Sequence, residues 1–169
     1  MGAQQMRDEI AQVRELTDKP FGVDLLTAAP GDMTAKVNDI IDGGGSVFVA
    51  GLGVPRDVVE LCHSRNVLVV SMCGKVRHAI AAVEAGCDIV VAQGTEAGGH
   101  TGKIATLALV PQVVAAVGER VPVVAAGGIV DGTDLIQFAL ETQTRSNYAK
   151  SFFDGAAGGD SVVVHESAH

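Results

Sequence analysis

The chain has 169 residues, 47% of them hydrophobic but only 4% aromatic, and it carries a formal net charge of −8. This length is sufficient for one domain with a core. The acidic balance argues against binding to nucleic acid or an anionic membrane, which requires clustered Lys and Arg. No apolar run approaches a membrane-spanning length. We therefore expect a cytoplasmic protein that acts on a small molecule, without a membrane or nucleic-acid partner.

Apolar residues alternate along the chain between helical spacing and short continuous runs. The runs predict strands over residues 21–26, 47–50, 67–72, 89–92 and 121–126. Helical spacing predicts a helix over residues 3–17 and one helix in each of the four intervals between strands. Pro55 suits the first turn of its helix, and Gly86 marks the end of the next one.

Strict alternation of strands and helices predicts an α/β fold with a parallel sheet, for which two architectures compete. An open doubly wound sheet is weakened because no Gly-x-Gly-x-x-Gly follows the first strand. A TIM-barrel-type (β/α)8 fold is favoured because glycine-rich loops follow the fourth and fifth strands, as in barrel phosphate sites. A complete barrel needs about 250 residues. Only five units are visible here, so the barrel is predicted to be incomplete.

The glycine-rich segment at residues 93–102 is the principal candidate site. It follows an apolar strand and reads Gln-Gly-Thr-Glu-Ala-Gly-Gly-His-Thr-Gly. Gly98 and Gly99 would let the backbone approach a ligand, and His100 adds one titratable imidazole. The alternative is a flexible loop with an incidental surface histidine.

Several other polar residues have structural interpretations. Glu96 and Asp131 are predicted to cap neighbouring amides. Lys75 and Lys103 border the candidate ligand side and could attract anions, although solvated lysines are the favoured interpretation. The remaining histidines lack metal-ligand spacing and are predicted to be surface residues: His63, His78, His165 and His169.

The three cysteines form no Cys-x-x-Cys pair. Cys62 and Cys87 lie among apolar residues and are predicted to be buried free thiols. Cys73 follows the end of a strand and is expected to be more exposed.

Four segments in order carry a family resemblance that extends to about residue 134. They are residues 19–26 (Lys-Pro-Phe-Gly-Val-Asp-Leu-Leu), 85–88 (Ala-Gly-Cys-Asp) followed by 93–102 (Gln-Gly-Thr-Glu-Ala-Gly-Gly-His-Thr-Gly), 109–112 (Leu-Val-Pro-Gln) and 121–132 (Val-Pro-Val-Val-Ala-Ala-Gly-Gly-Ile-Val-Asp-Gly). With these motifs the chain resembles the FMN-dependent nitronate monooxygenases, formerly called 2-nitropropane dioxygenases. It is also similar to the flavin-dependent enoyl-acyl-carrier-protein reductases.

The resemblance implies an FMN site. Gln93 would hydrogen-bond the isoalloxazine, and Gly98 and Gly99 would lie against the cofactor. Two further residues, Gly127 and Gly128, would donate backbone amides to the FMN phosphate. Asp24 stands where many members of the family have an asparagine near the flavin, and aspartate there lacks the amide donor.

The resemblance also implies an oxidoreductase that converts alkyl nitronates and O2 to a carbonyl compound and nitrite. His100 would be the catalytic residue, as a base or as a hydrogen-bond donor to the nitro group. Two alternatives remain open. The chain could be a non-catalytic truncated barrel or assembly subunit without flavin, or an enoyl-reductase-like enzyme that needs a nicotinamide donor.

Relative to the family, the chain matches about strands three to seven of the barrel. We expect a partial flavin-binding barrel over residues 1–141 and an irregular tail over residues 142–169, in which only residues 162–164 could form a strand. Because an open sheet has exposed edges, we also expect a homo-oligomer or a partner chain that completes the barrel.

Overall fold

The computed structural model describes residues 2–27 and 31–134, together with the backbone of Val163–Val164. Five helices alternate with five parallel strands, as predicted, and a sixth strand follows. The helices are α1 (Ala3–Leu16), α2 (Met33–Asp42), α3 (Arg56–Ser64), α4 (Val76–Ala85) and α5 (Thr106–Val117). The strands are β1 (Gly22–Leu25), β2 (Val47–Ala50), β3 (Leu68–Cys73), β4 (Ile89–Gln93), β5 (Val123–Ala126) and β6 (Val163–Val164).

The strands lie side by side in the order in which they occur in the chain. Each strand from β1 to β4 pairs in parallel with the next strand in the chain. A doubly wound sheet reverses its strand order at a switch point. No reversal occurs here, and crossovers of one hand then place the connecting helices on one face, as in a barrel. The strand order therefore decides between the two predicted architectures in favour of the barrel type.

The last described strand runs against the others. The backbone of β6 pairs antiparallel with Val123 and Val124 of β5. This confirms a strand at two of the three predicted tail positions. Residue 162 and most of the predicted tail over residues 142–169 lie outside the described part of the chain.

Local signals explain where the helices begin and end. Asp32 caps α2, since its Oδ1 accepts a hydrogen bond of 3.1 Å from the Ala35 amide. Pro55 occupies the cap position of α3. Gly86 ends α4 with φ +104°, a left-handed conformation that favours glycine.

The core lies between the sheet and the helices and consists largely of valine and alanine. Its largest fully buried side chains include Phe48 of β2, Ile40 of α2 and Leu109 of α5. All three cysteines are buried there as free thiols, which confirms the prediction for Cys62 and Cys87. The expectation that Cys73 is more exposed is wrong.

Cys73 is the last residue of β3, but it belongs to the hydrophobic core and is only 1% exposed. Burial raises the pKa of its thiol to about 11. It is therefore an inert thiol of the core at neutral pH.

Strand β1 forms one edge of the sheet. It pairs with β2, and its other side faces a groove of about 510 Å³ that α1 also lines. No helix in the described part of the chain is long and apolar enough to cross a bilayer.

Candidate functional site

The loops after β4 and β5 meet at the carboxyl end of the sheet. The Gly94 amide donates a hydrogen bond of 2.9 Å to the Ala126 carbonyl. A Cβ built on Gly127 would lie 2.7 Å from the Ala97 amide nitrogen, so the two backbones are nearly in contact there. The fold thus brings together the two glycine-rich loops that the sequence separates.

Glu96 fixes the β4 loop to the start of α5. Its carboxylate accepts hydrogen bonds of 2.9 Å from both the backbone amide and the Oγ1 hydroxyl of Thr106. These hydrogen bonds, that of the backbone amide above all, lower the pKa of Glu96. Thr106 is buried, and its hydroxyl also lies 3.4 Å from the Ala126 carbonyl oxygen. The predicted capping role of Glu96 is confirmed.

A second predicted cap lies in the β5 loop. The Asp131 carboxylate accepts hydrogen bonds from the amides of Thr133, at 2.7 Å, and Asp134, at 3.3 Å. These bonds lower the pKa of Asp131. Its structural interpretation is therefore confirmed as well.

Gln93 is the last residue of β4 and faces the glycine loop. Its Nε2 donates a hydrogen bond of 3.1 Å to the Gly98 carbonyl. This hydrogen bond connects the end of β4 to the middle of the glycine-rich loop. The Gln93 side chain also lines a cleft beside that loop. Its contact with an isoalloxazine remains a prediction.

Two glycines of the loop after β4 leave room for a ligand. A Cβ built on Gly98 or Gly99 would meet no protein atom within 4 Å. Three of the glycines have left-handed backbone conformations that favour glycine: Gly99 at φ +72°, Gly127 at φ +114° and Gly128 at φ +71°. Among the described residues, no backbone acceptor is assigned to the amides of these four glycines. The open space beside Gly98 and Gly99 fits a planar ring, and the unused backbone amides of Gly127 and Gly128 fit a phosphate.

A cleft of about 660 Å³ opens beside these loops, a size typical of small-molecule sites. It lies at the carboxyl ends of β2, β3 and β4, and its lining includes Leu52, Met72, Lys75, His78, Gln93, His100 and Lys103. His100 is exposed, and its ring has no hydrogen-bonding partner among the described residues. An imidazole in this position can take a proton from a bound ligand or donate one to it.

Asp24 lies apart from the other predicted site residues. It is an exposed residue of the edge strand β1 and lines the groove beside α1 rather than the cleft. Partial burial in that groove raises the pKa of its carboxyl. The described residues thus place Gln93 and His100 on one cleft, with the glycine loops beside it and Asp24 elsewhere.

The sequence interpretation missed part of the cleft wall. Leu52 and Val54 follow β2, and Met72 lies near the end of β3, but none carries a chemical motif. Their signal is position alone, since the carboxyl ends of parallel strands converge on one edge. His78 is exposed, as predicted, yet it also lines the cleft. No group of residues suited to a metal ion occurs in the described part of the chain.

The parallel strands follow one another in sequence order, and the candidate site lies in the loops at their carboxyl ends. Both features define a TIM-barrel-type protein, and this chain covers part of such a barrel. The family model for nitronate monooxygenase matches residues 30–141. The chain therefore belongs to the nitronate monooxygenase family, as its motifs predict.

Curated relatives and solved structures agree with this assignment. A "Probable nitronate monooxygenase" of Staphylococcus aureus (strain JH9) is 30% identical over 178 residues, which cover 79% of this chain and 50% of that protein. A (3aS,4S,5R,7aS)-5-hydroxy-7a-methyl-1-oxo-octahydro-1H-indene-4-carboxyl-CoA dehydrogenase of Rhodococcus jostii (strain RHA1) is 36% identical over 131 residues, 78% of this chain and 36% of that enzyme.

Among solved structures, FabK from Thermotoga maritima superimposes with a TM-score of 0.74 at 31% identity, over 84% of this chain and 45% of that chain. The nitroalkane oxidase from Streptomyces ansochromogenes does so with a TM-score of 0.71 at 28% identity, over 82% and 52%. The chain spans half or less of the length of the two curated relatives.

Proposed function

We propose that this chain is the core of an FMN-dependent oxidoreductase of the nitronate monooxygenase type. The substrate would be an alkyl nitronate, and two nitronates with one O2 would give two carbonyl compounds and two nitrite ions, so that each carbonyl carbon receives one oxygen atom. One observation carries the proposal: His100 lines the same cleft as Gln93, beside a glycine loop open to a ligand. The family match and the similarity to a nitroalkane oxidase support it.

The loops supply the groups that would hold FMN. Gly98 and Gly99 present backbone without side chains to the ring, and Gly127 and Gly128 present amides to the phosphate. Gln93 would keep the loop closed and direct its amide group toward the ring. When bound, FMN supplies the electron relay between nitronate and O2. Asp24 is a further proposed contact, although the described residues place it in a different groove.

The protein's own contribution centres on His100. Its imidazole would donate a hydrogen bond to the nitro oxygens, which carry the nitronate's negative charge; if the neutral nitroalkane binds instead, the imidazole would remove its α-proton to form the nitronate. The apolar wall formed by Leu52, Val54 and Met72 would receive the alkyl part and exclude water.

Completion of the barrel is part of the proposal. The open edge of β1 and the groove beside it would be covered by a second copy or by a partner chain. Light scattering at several protein concentrations tests this, and a stable monomer that retains bound FMN would contradict it.

The first experiment is an absorption spectrum of the purified protein before and after incubation with excess FMN and gel filtration. Retained flavin bands, followed by nitrite release from a nitronate, would support the proposal. Flavin-dependent NADH consumption with an enoyl thioester, without nitrite, would favour the enoyl-reductase alternative. Absence of bound flavin in both samples would overturn the enzyme proposal and favour a non-catalytic subunit.

The role of His100 is tested by His100→Ala. We expect the turnover number to fall about 10²- to 10⁴-fold, because proton transfer by a positioned side chain contributes about that much. FMN affinity should stay unchanged, since the side chain would face the substrate. His100→Gln keeps a hydrogen-bond donor without exchanging protons, so recovery in that variant would identify the donor role. Unchanged turnover in His100→Ala would contradict both roles.

A further inference from the structure

The charged side chains that line the cleft are all basic in character. Lys75, His78 and Lys103 line it, and none of its lining residues is an aspartate or glutamate. This is unexpected for a chain of net charge −8. Cationic groups concentrated at one cleft of an acidic protein favour the entry of an anion.

A contact between two glycines brings the two lysines together. A Cβ built on Gly74 would lie 3.0 Å from the Gly102 Cα, and one built on Gly102 would lie 2.6 Å from the Gly74 carbonyl oxygen. The backbone after β3 therefore packs directly against the end of the β4 loop. Since Lys75 and Lys103 each follow one of these glycines, the contact brings both lysines to the lining of the same cleft.

The start of α4 adds to this positive region. Lys75 is the cap residue of α4, its side chain makes no capping hydrogen bond, and the first turn contains no acidic residue. His78 lies in that turn; desolvation and the charges of Arg77 and Lys75 lower its pKa, so at neutral pH it contributes a neutral imidazole that can donate a hydrogen bond, and the positive charge comes from the lysines. The side chains of Lys75, His78 and Lys103 have no ionic or hydrogen-bonding partner among the described residues.

We propose that Lys75, His78 and Lys103 form a phosphate subsite at the rim of the cleft, which binds a phosphate group of the substrate. The substrate is then a phosphate-bearing molecule whose apolar part contacts Leu52 and Met72. Its reacting end reaches His100, and only this last placement rests on the proposed function. The cleft of about 660 Å³ has room for such a molecule. The FMN phosphate is assigned separately to the loop of Gly127 and Gly128.

Calorimetric titration with inorganic pyrophosphate tests the subsite directly, with the full chain and without turnover. We expect saturable binding that weakens by more than about tenfold in Lys75→Ala/Lys103→Ala, because two charge-assisted contacts are lost. The matched control is Lys19→Ala/Arg120→Ala, which removes the same charge from exposed residues preceding β1 and β5. It should bind pyrophosphate as the unmodified chain does.

The outcomes separate the sources of the phosphate. If pyrophosphate binding weakens equally in Lys19→Ala/Arg120→Ala, the effect comes from the net charge of the chain. If the unmodified chain shows no saturable binding, there is no subsite. Either result overturns the proposal. If Lys75→Ala/Lys103→Ala instead abolishes a preference for FMN over riboflavin, the subsite belongs to the cofactor, and the substrate assignment is wrong. Lys75→Gln/Lys103→Gln removes the same charges with longer side chains than alanine. A melting temperature equal to that of the unmodified chain, together with weakened pyrophosphate binding, would show that the loss of binding is not a folding defect. Failure of nitrite release alone affects the proposed function and leaves this binding result intact.

Discussion

The two ends of the parallel sheet differ in how their polar side chains are hydrogen-bonded. At the amino end these groups are bonded to the protein: Asp88 accepts hydrogen bonds from the Val69 amide at 2.7 Å and from His63 at 3.0 Å, and Ser46 donates one to the Phe21 carbonyl at 3.1 Å. At the carboxyl end, His100 and the two rim lysines face a cleft without such partners among the described residues. One end of the sheet therefore stabilises the fold, and the other remains available to a ligand, as in barrel enzymes.

The division is not complete, because the carboxyl end also contains structural residues. Gly94 and Glu96 both contact Thr106, which is buried at the start of α5. The same loop therefore combines an anchored half and an open half. Variants that separate stability from ligand binding test this interpretation.

The largest effect is expected from Gly94→Ala. Its Cβ would collide with the amide nitrogen, Cα and Oγ1 of Thr106, and that helix start cannot retreat easily because Glu96 holds it. We expect the free energy of unfolding to fall by about 3 kcal/mol, the upper range for overpacking. Urea unfolding measures this, with Gly98→Ala as the control because that Cβ meets no protein atom within 4 Å. Equal stability of both variants would show that the Gly94 contact is looser than described.

At the amino end, Asp88→Ala should destabilise the chain by about 2 kcal/mol, since it leaves the part-buried Val69 amide without its side-chain acceptor. Asp88→Asn retains an oxygen for that amide and loses only the pairing with protonated His63, so its loss should be smaller. Urea unfolding again provides the values. FMN binding should be the same in both variants once they are folded. Weaker flavin binding in the folded Asp88→Asn variant would break the proposed division between the two ends.

Sequence patterns predicted the elements far better than the contacts between them. Valine-rich runs and helical spacing depend on neighbours along the chain, so all five parallel strands and five helices were predictable. Capping by Glu96 was also predictable, because its partner lies in the adjoining helix. The burial of Cys73 and the contact of Gly74 with Gly102 depend on how separate units pack, and no local pattern encodes them. The position of Asp24 beside α1 is likewise a property of the assembled sheet.

Within the open half of the loop, Gly98→Ala should affect the cofactor and not the fold. Its Cβ enters space that no protein atom occupies, so the unfolding midpoint should match that of the unmodified chain. If the flavin lies against this backbone, a methyl group there weakens FMN binding by about tenfold. Fluorescence titration of FMN measures the affinity. Unchanged affinity would remove Gly98 from the proposed cofactor contacts.

The smallest expected effect, that of Glu96→Gln, concerns the anchored half and depends on pH. Hydrogen bonds from Thr106 lower the pKa of Glu96 in the folded chain, so its carboxylate stabilises the fold above the ordinary glutamate value of 4.5. That contribution is lost as the pH falls through the lowered value. The amide side chain that Glu96→Gln introduces would still accept a hydrogen bond, but it lacks the negative charge that favours a helix N-terminus.

The melting temperature of Glu96→Gln should therefore lie slightly below that of the unmodified chain at pH 7. The difference should close as the pH falls below about 4.5, where protonated glutamate resembles glutamine. Glu60→Gln, at an exposed position of α3, removes the same charge and should show no such pH-dependent difference. If both variants behave alike, the effect reflects net charge, and Glu96 would not anchor the loop through its carboxylate. A difference confined to Glu96 would show that the glycine-rich loop after β4 is held at its base by a charged cap and is open beyond it.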